Sequence, residues 1–256
     1  MAATRLPPER YFDSIDADTE RLVAMGERGL DASVPCCPGW TVDDVVRHTA
    51  QVFAHKVRVM ADNAFPDPWP PADHATREPV EFLRLAKDEL FTEFAAHEVS
   101  EPTTTFSPAD STIGFWIRRM ALEVAVHRYD AELAHDAASG IADDVALDGI
   151  DELLTIMLGG PWWDDDAWQT EHPVEAVVAV QAGDRRWHAD VRRRSVAITD
   201  GRAGTDGAGQ AAATLGGEPQ QVFLWLWGRV GDDAVVLTGD PRVTAEFRSR
   251  IQECTD

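Results

Sequence analysis

The chain has 256 residues, 44 % hydrophobic and 27 % charged, enough for one large or two modest globular domains that each bury a core. Acidic residues outnumber basic ones 45 to 23, for a net charge of −22. Such a surface repels phosphate backbones and anionic lipid, so nucleic acid and membrane surfaces are excluded as partners.

The opening MAATRLPPER lacks the apolar segment of a secretion signal, and no apolar run reaches the roughly 18 residues that a membrane span needs. Three cysteines, with Cys36 and Cys37 adjacent, make no disulfide framework, so a reducing cytoplasm is expected.

The pattern up to about residue 160 is helical. Phe12, Ile15, Leu22, Val23 and Met25 space a first amphipathic helix over Pro8–Gly29. A Pro-rich turn follows at Val34–Gly39. Thr41 as N-cap and Asp44 three residues later predict the start of a second helix, running to about Met60. Asn63–Asp73 holds four prolines and reads as a loop. Further helices are expected over Pro79–His97, from near Thr112 to His135, and over Asp143–Leu158. Short to moderate loops predict antiparallel packing in a bundle.

The character changes after Gly159-Gly160-Pro161. Trp162–Glu171 reads as an acidic, Trp-rich connector. Alternation over Pro173–Ala182, Arg186–Val191 and Ser195–Thr199 predicts strands. Gly201–Gly209 reads as a turn or loop. A strongly apolar helix over Gln220–Gly228, a short strand at Ala234–Thr238 and a last helix over Pro241–Gln252 complete a smaller α/β domain beginning near residue 165.

Two segments carry chemistry. In Arg118–Asp130, Glu123 and His127 are four apart, so both side chains share one helix face. Their neighbours Leu122, Val124 and Val126 are apolar, and a carboxylate in such a stretch is costly unless paired or metal-bound. A hydrogen-bonded Glu–His pair satisfies that requirement as well as a metal does. In Cys37–His48, His48 falls three residues beyond Val45 and can point inward, as a core histidine or as a ligand.

CPGWTVDDVVRHTA and RRMALEVAVHRYDAE together resemble the mycothiol-dependent maleylpyruvate isomerase family, within the DinB-like metal-binding bundles. WLWGR at Trp225–Arg229 is similar, less specifically, to that family's C-terminal domain, and the likeness spans nearly the whole chain. It implies a DinB-like four-helix bundle over residues 1–162. It also implies a small α/β domain over 165–256, resembling sterol-carrier-like domains. It further implies a zinc site, or one for a similar divalent ion, of His48, Glu123 and His127. Three protein ligands leave a fourth position open, as at catalytic sites, and in the family that position is thought to take the sulfur of mycothiol. Arg229 matches an arginine that the family uses for substrate or thiol binding, although a helix C-terminal arginine is an equally good reading.

Asp130, three beyond His127, could hold an imidazole N–H. His55 and His135 share the spacing of this face, and Arg47, Arg118, Arg119 and Arg229 could supply a local positive patch. Cys36 and Cys37 precede a helix start, where a thiolate can be stabilised, though a loop thiol without function is the simpler reading. His74, His97, His172 and His188 have no evident partners in the sequence. GxxxxGK, GxSxG and HExxH motifs are all absent. The expectation is a metal- and mycothiol-dependent isomerase or S-transferase acting on a small electrophile. The rival is a non-catalytic, metal-containing protein for small-ligand binding or sensing.

Overall fold

A computed structural model describes residues 5–164, 174–202 and 211–255. By contact the described residues divide into two compact units, one over Leu6–Gly140 and one beginning at Ile141.

The first unit holds four long helices: α1 (Pro8–Arg28), α2 (Val42–Asp62), α3 (Pro79–Ala95) and α4 (Ile113–Ala134). Each forms where the apolar spacing predicts it. Pro8 and Pro79 occupy first-turn positions where no N–H is missed. At α2 both halves of the capping box are present, and the Thr41 N–H donates to Asp44 Oδ2 at 2.8 Å. The helices close a ring in which α4 packs on α1 and α2, and α3 packs on α2 and α1. Core residues include Ile15, Leu22, Val45, Phe53, Leu83, Leu90, Trp116 and Leu122. The proline-rich loop carries a short 3₁₀ turn at Ala72–Thr76.

α4 is apolar on nearly every side, and its polar exceptions are buried with partners. Arg128, 2 % exposed, donates to Glu132 Oε2 at 2.9 Å and to Asp18 Oδ1 at 3.1 Å. Glu132 also accepts from the Ser139 N–H and from Arg21. Pairing of this kind is what permits charge in a core.

The second unit holds a five-stranded sheet in the order β3-β2-β1-β4-β5. The strands are β1 (Ala176–Ala182), β2 (Arg185–Arg192), β3 (Ser195–Arg202), β4 (Ala213–Gly217) and β5 (Val236–Gly239). β1 and β4 run parallel; the other neighbours are antiparallel. Helices α5 (Asp143–Glu152), α6 (Pro219–Leu226) and α7 (Pro241–Thr255) complete it. α6 and α7 pack on β1 and β4, with Val178, Val180, Leu215, Phe223 and Phe247 buried.

Three expectations need correction. The division falls at Gly140–Ile141 and not near residues 162–165, because α5 packs on α6 and Asp151 accepts from the Trp187 indole of β2 at 3.1 Å. The expected single helix over Asp143–Leu158 changes at Leu153 to a π-helical turn. There Thr155 Oγ1 donates back to the Asp151 carbonyl at 2.6 Å, and the Gly159 N–H reaches five residues back to Leu154 at 2.9 Å. Strand β4 was not anticipated, since ATLGG is short and Gly-ended, and its place is fixed by pairing on both sides. Most of the expected acidic connector, from residue 165, and most of the loop at Gly201–Gly209 lie outside the described residues.

Candidate metal centre

α2 and α4 pack side by side and bring three donors to one point. His48 Nε2 lies 3.2 Å from Glu123 Oε1, and His127 Nε2 lies 3.2 Å from the same oxygen. One donor atom from each of the three residues lies within 4.8 Å of the others. The imidazole rings meet edge-on with centroids 4.8 Å apart. Trp40, on the turn before α2, covers both, at 5.2 Å from His48 and 6.4 Å from His127. The side chain of His48 is 37 % exposed against 16 % for Glu123 and 11 % for His127, so the group opens on the His48 side.

Each inner group is held from behind. Asp130, fully buried, faces His127 Nδ1 with Oδ2 at 3.1 Å. With Nδ1–H donated to Asp130, the proton that a metal displaces is the one on Nε2 facing Glu123, which leaves the tautomer a metal ligand needs. Arg119 donates to Glu123 Oε2 at 2.8 Å, which leaves Oε1 for the centre. Burial alone would raise the Glu123 pKa, but the charge of His127, hydrogen bonds from both imidazoles and Arg119 hold it well below the usual carboxylate range. Burial alone would lower His127, yet Glu123 and Asp130 outweigh it and push the value up to about 9. Two imidazoles and a carboxylate with second partners already in place are a donor set that fits zinc and similar divalent ions.

Patterns for this architecture match in two blocks. The mycothiol maleylpyruvate isomerase N-terminal domain matches residues 12–132, and the MDMPI C-terminal domain matches residues 144–246. The chain belongs to the mycothiol maleylpyruvate isomerase family. Among solved structures it is similar to one described as the mycothiol-dependent maleylpyruvate isomerase. That structure is 15 % identical, with a TM-score of 0.62, and 92 % of this chain and 96 % of that chain are covered. A histidine-to-alanine mutant of the mycothiol-dependent maleylpyruvate isomerase is 14 % identical, with a TM-score of 0.61 and the same coverage. No curated protein matches the chain. The helical N-terminal part and the small C-terminal sheet domain are the fold of these isomerases.

Around the centre, other expected residues fall in several places. Arg47 is committed to its own surroundings: it pairs with Asp43 and donates to the carbonyls of His74 and Arg77. His135 Nε2 sits 3.1 and 3.0 Å from the Met25 and Gly29 carbonyls at the end of α1. His97 pairs with Glu93 and Glu101, and His74 lies against Trp69 and Phe82. Arg118 is buried. His188 lies on β2, and His172 lies outside the described residues. Arg229 follows α6 in the second unit and donates to the Trp227 carbonyl at 2.6 Å.

Two neighbours were not anticipated. Trp40 is one; the turn that presents it carries no periodic signal. The other is Lys56, whose ammonium lies over the Trp116 ring at 4.7 Å and 2.9 Å from His55 Nδ1. Burial pushes Lys56 down to about 8, partly offset by the charge of Glu123. A concavity of about 550 Å³ also opens on the bundle, lined by Arg58, Trp69, His74 and Arg77, but it includes none of the three donors.

Proposed function

We propose that this protein is a mycothiol-dependent isomerase or S-transferase acting on a small electrophile, with His48, Glu123 and His127 as its divalent metal ligands and zinc the best-fitting ion. The observation that carries the reading is the convergence of three donors with Asp130 and Arg119 fixing them from behind. Family membership supports mycothiol as the thiol.

A divalent ion at this point supplies a Lewis-acidic position that lowers the pKa of a thiol beside it toward neutrality. The chain's residues do the rest. Asp130 keeps the proton of His127 on Nδ1, and Arg119 fixes the carboxylate of Glu123. Trp40 shields the two imidazoles on one side. Lys56 presents an ammonium suited to a substrate carboxylate. The family resemblance alone supports Arg229 as a residue for thiol or substrate binding. The thiolate sulfur would add to one carbon of an activated double bond, the π pair moving onto the conjugated carbonyl as an enolate. Rotation about the resulting single bond, then re-formation of the double bond with expulsion of the thiolate, gives the isomer; protonation of the enolate from solvent with the C–S bond retained gives S-transfer.

Two measurements test this. The purified protein should hold close to one divalent ion per chain at this centre, and His48→Ala with His127→Ala should lose it. Mycothiol added to the cobalt-substituted protein should produce a sulfur-to-cobalt charge-transfer band. Mycothiol binding equally to metal-free protein, with no band, would overturn the reading.

A further inference from the structure

The turn before α2 places a second group of donors beside the first. Its backbone is closed by hydrogen bonds from the Val34 N–H to the Trp40 carbonyl at 2.9 Å and from the Trp40 N–H to the Cys37 carbonyl at 3.0 Å. Gly39 turns the chain at φ +86°, a conformation that side chains resist. The turn presents two adjacent thiols to the buried carboxylate of α4. Cys36 Sγ lies 3.2 Å from Asp130 Oδ1 and Cys37 Sγ lies 3.7 Å from Asp130 Oδ2. One donor atom from each of these three residues lies within 4.8 Å of the others.

We propose that Cys36, Cys37 and Asp130 form a second cation site, for a thiophilic divalent ion of the zinc or cadmium class. The spacing suits one ion. Zinc–sulfur and zinc–oxygen bonds of about 2.3 and 2.1 Å at a tetrahedral angle separate the two donor atoms by about 3.6 Å. The donor set is soft, and adjacent thiolates with a carboxylate neutralise a divalent charge. An ion held through Oδ1 would draw the Cys37 thiol off Oδ2, which then stays on His127 Nδ1 alone, so both sites can be filled together. On binding, each thiol forms an S–metal bond and gives its proton to solvent, with no change of oxidation state. The hydrogen bond with Cys37, burial and the negative charge of Asp130 keep the Cys36 thiol protonated, and a cation reverses that balance. The two sites share no ligand, although Asp130 touches both, through Oδ1 on Cys36 and Oδ2 on His127.

Equilibrium binding of cadmium to the reduced, metal-free chain tests it. The intact chain should take two equivalents and show thiolate-to-cadmium absorption in the ultraviolet. Cys36→Ser with Cys37→Ser should lose the absorption and one equivalent. His48→Ala with His127→Ala should lose one equivalent and keep the absorption. Cys254→Ser, on α7, should change neither. Absorption that survives the double serine variant, that vanishes with Cys254, or that never develops in the intact chain overturns the proposal. Should the serine variant not fold, cadmium NMR of the intact chain decides: two resonances, one in the sulfur-ligand range, are required. Loss of the His-site equivalent alone would count against the first site and leave this one standing.

Discussion

Asp130 faces His127 with one oxygen and the Cys36 thiol with the other. Replacing it by Asn keeps the volume but removes the charge that holds the Nδ1 proton, so half of the amide's orientations present a donor to a donor. Asp130→Asn should therefore weaken metal binding at the His48–Glu123–His127 centre about 10- to 100-fold, read by competition with a chromophoric chelator. Unchanged affinity would mean that Asp130 does not orient the ligand. The pH dependence follows from the same contacts. In metal-free protein the His127 value is raised from 6.5 to about 9, so its stabilising contribution is complete below about 6.5 and is lost as pH rises through 9. Lys56 works in the opposite sense: its value falls from 10.5 to about 8, so the cost of its buried charge is relieved as pH rises above 8. The clean window lies between these. The melting temperature of chelated protein should fall from pH 6.5 to 8, and His127→Gln should flatten that fall. Helical spacing alone put Glu123 and His127 on one face and Asp130 one turn further on. Spacing could not show that Arg47 is spent on loop carbonyls, or that Lys56 and Trp40 lie close by, because those contacts depend on how α2 and its flanking loops meet α4.

At the level of elements, the starts of helices were legible because their chemistry is local. Thr41 with Asp44, Pro8 and Pro79 each satisfy or remove donors within a few residues. The ends of α5 and the existence of β4 were not, since a π-helical turn and a five-residue Gly-ended strand are fixed by their neighbours. Two substitutions probe this packing. A Cβ on Gly149 of α5 would lie 2.3 Å from a ring carbon of Phe223 on α6, so Gly149→Ala must force the two helices apart. It should cost the second unit about 1–3 kcal/mol in chemical denaturation, despite alanine's better helix propensity. A neutral result would show that α5 does not pack there. In α4, Glu132→Ala leaves the buried Arg128 guanidinium without its nearer carboxylate and should cost the bundle about 3–5 kcal/mol. Metal content should be unaffected, since Glu132 touches neither group of donors.

The charge of the whole molecule bears on function more than on fold. At −22 the protein surrounds its chemistry with a negative field, while Arg119 is already paired with Glu123 and Arg47 with Asp43. Lys56 is the described ammonium beside the centre, and near pH 8 it is only half charged. A substrate bearing a carboxylate is therefore repelled over distance and attracted only on arrival. Distance is what salt screens: the Debye length falls from about 30 Å at about 0.01 M to about 10 Å at about 0.1 M. Repulsion by the whole surface fades across that range, whereas a short contact to Lys56 inside the site is little changed. For an electrophile carrying a carboxylate, kcat/KM should rise several-fold between these ionic strengths, with kcat nearly constant. A neutral electrophile, measured with the same thiol, should show no such rise. Lys56→Met should raise KM for the carboxylate substrate and leave the salt dependence in place, because the residue acts only at contact. A rate that instead falls with salt would mean that local cations outweigh the surface and steer the substrate in, placing the specificity of the site in its long-range field.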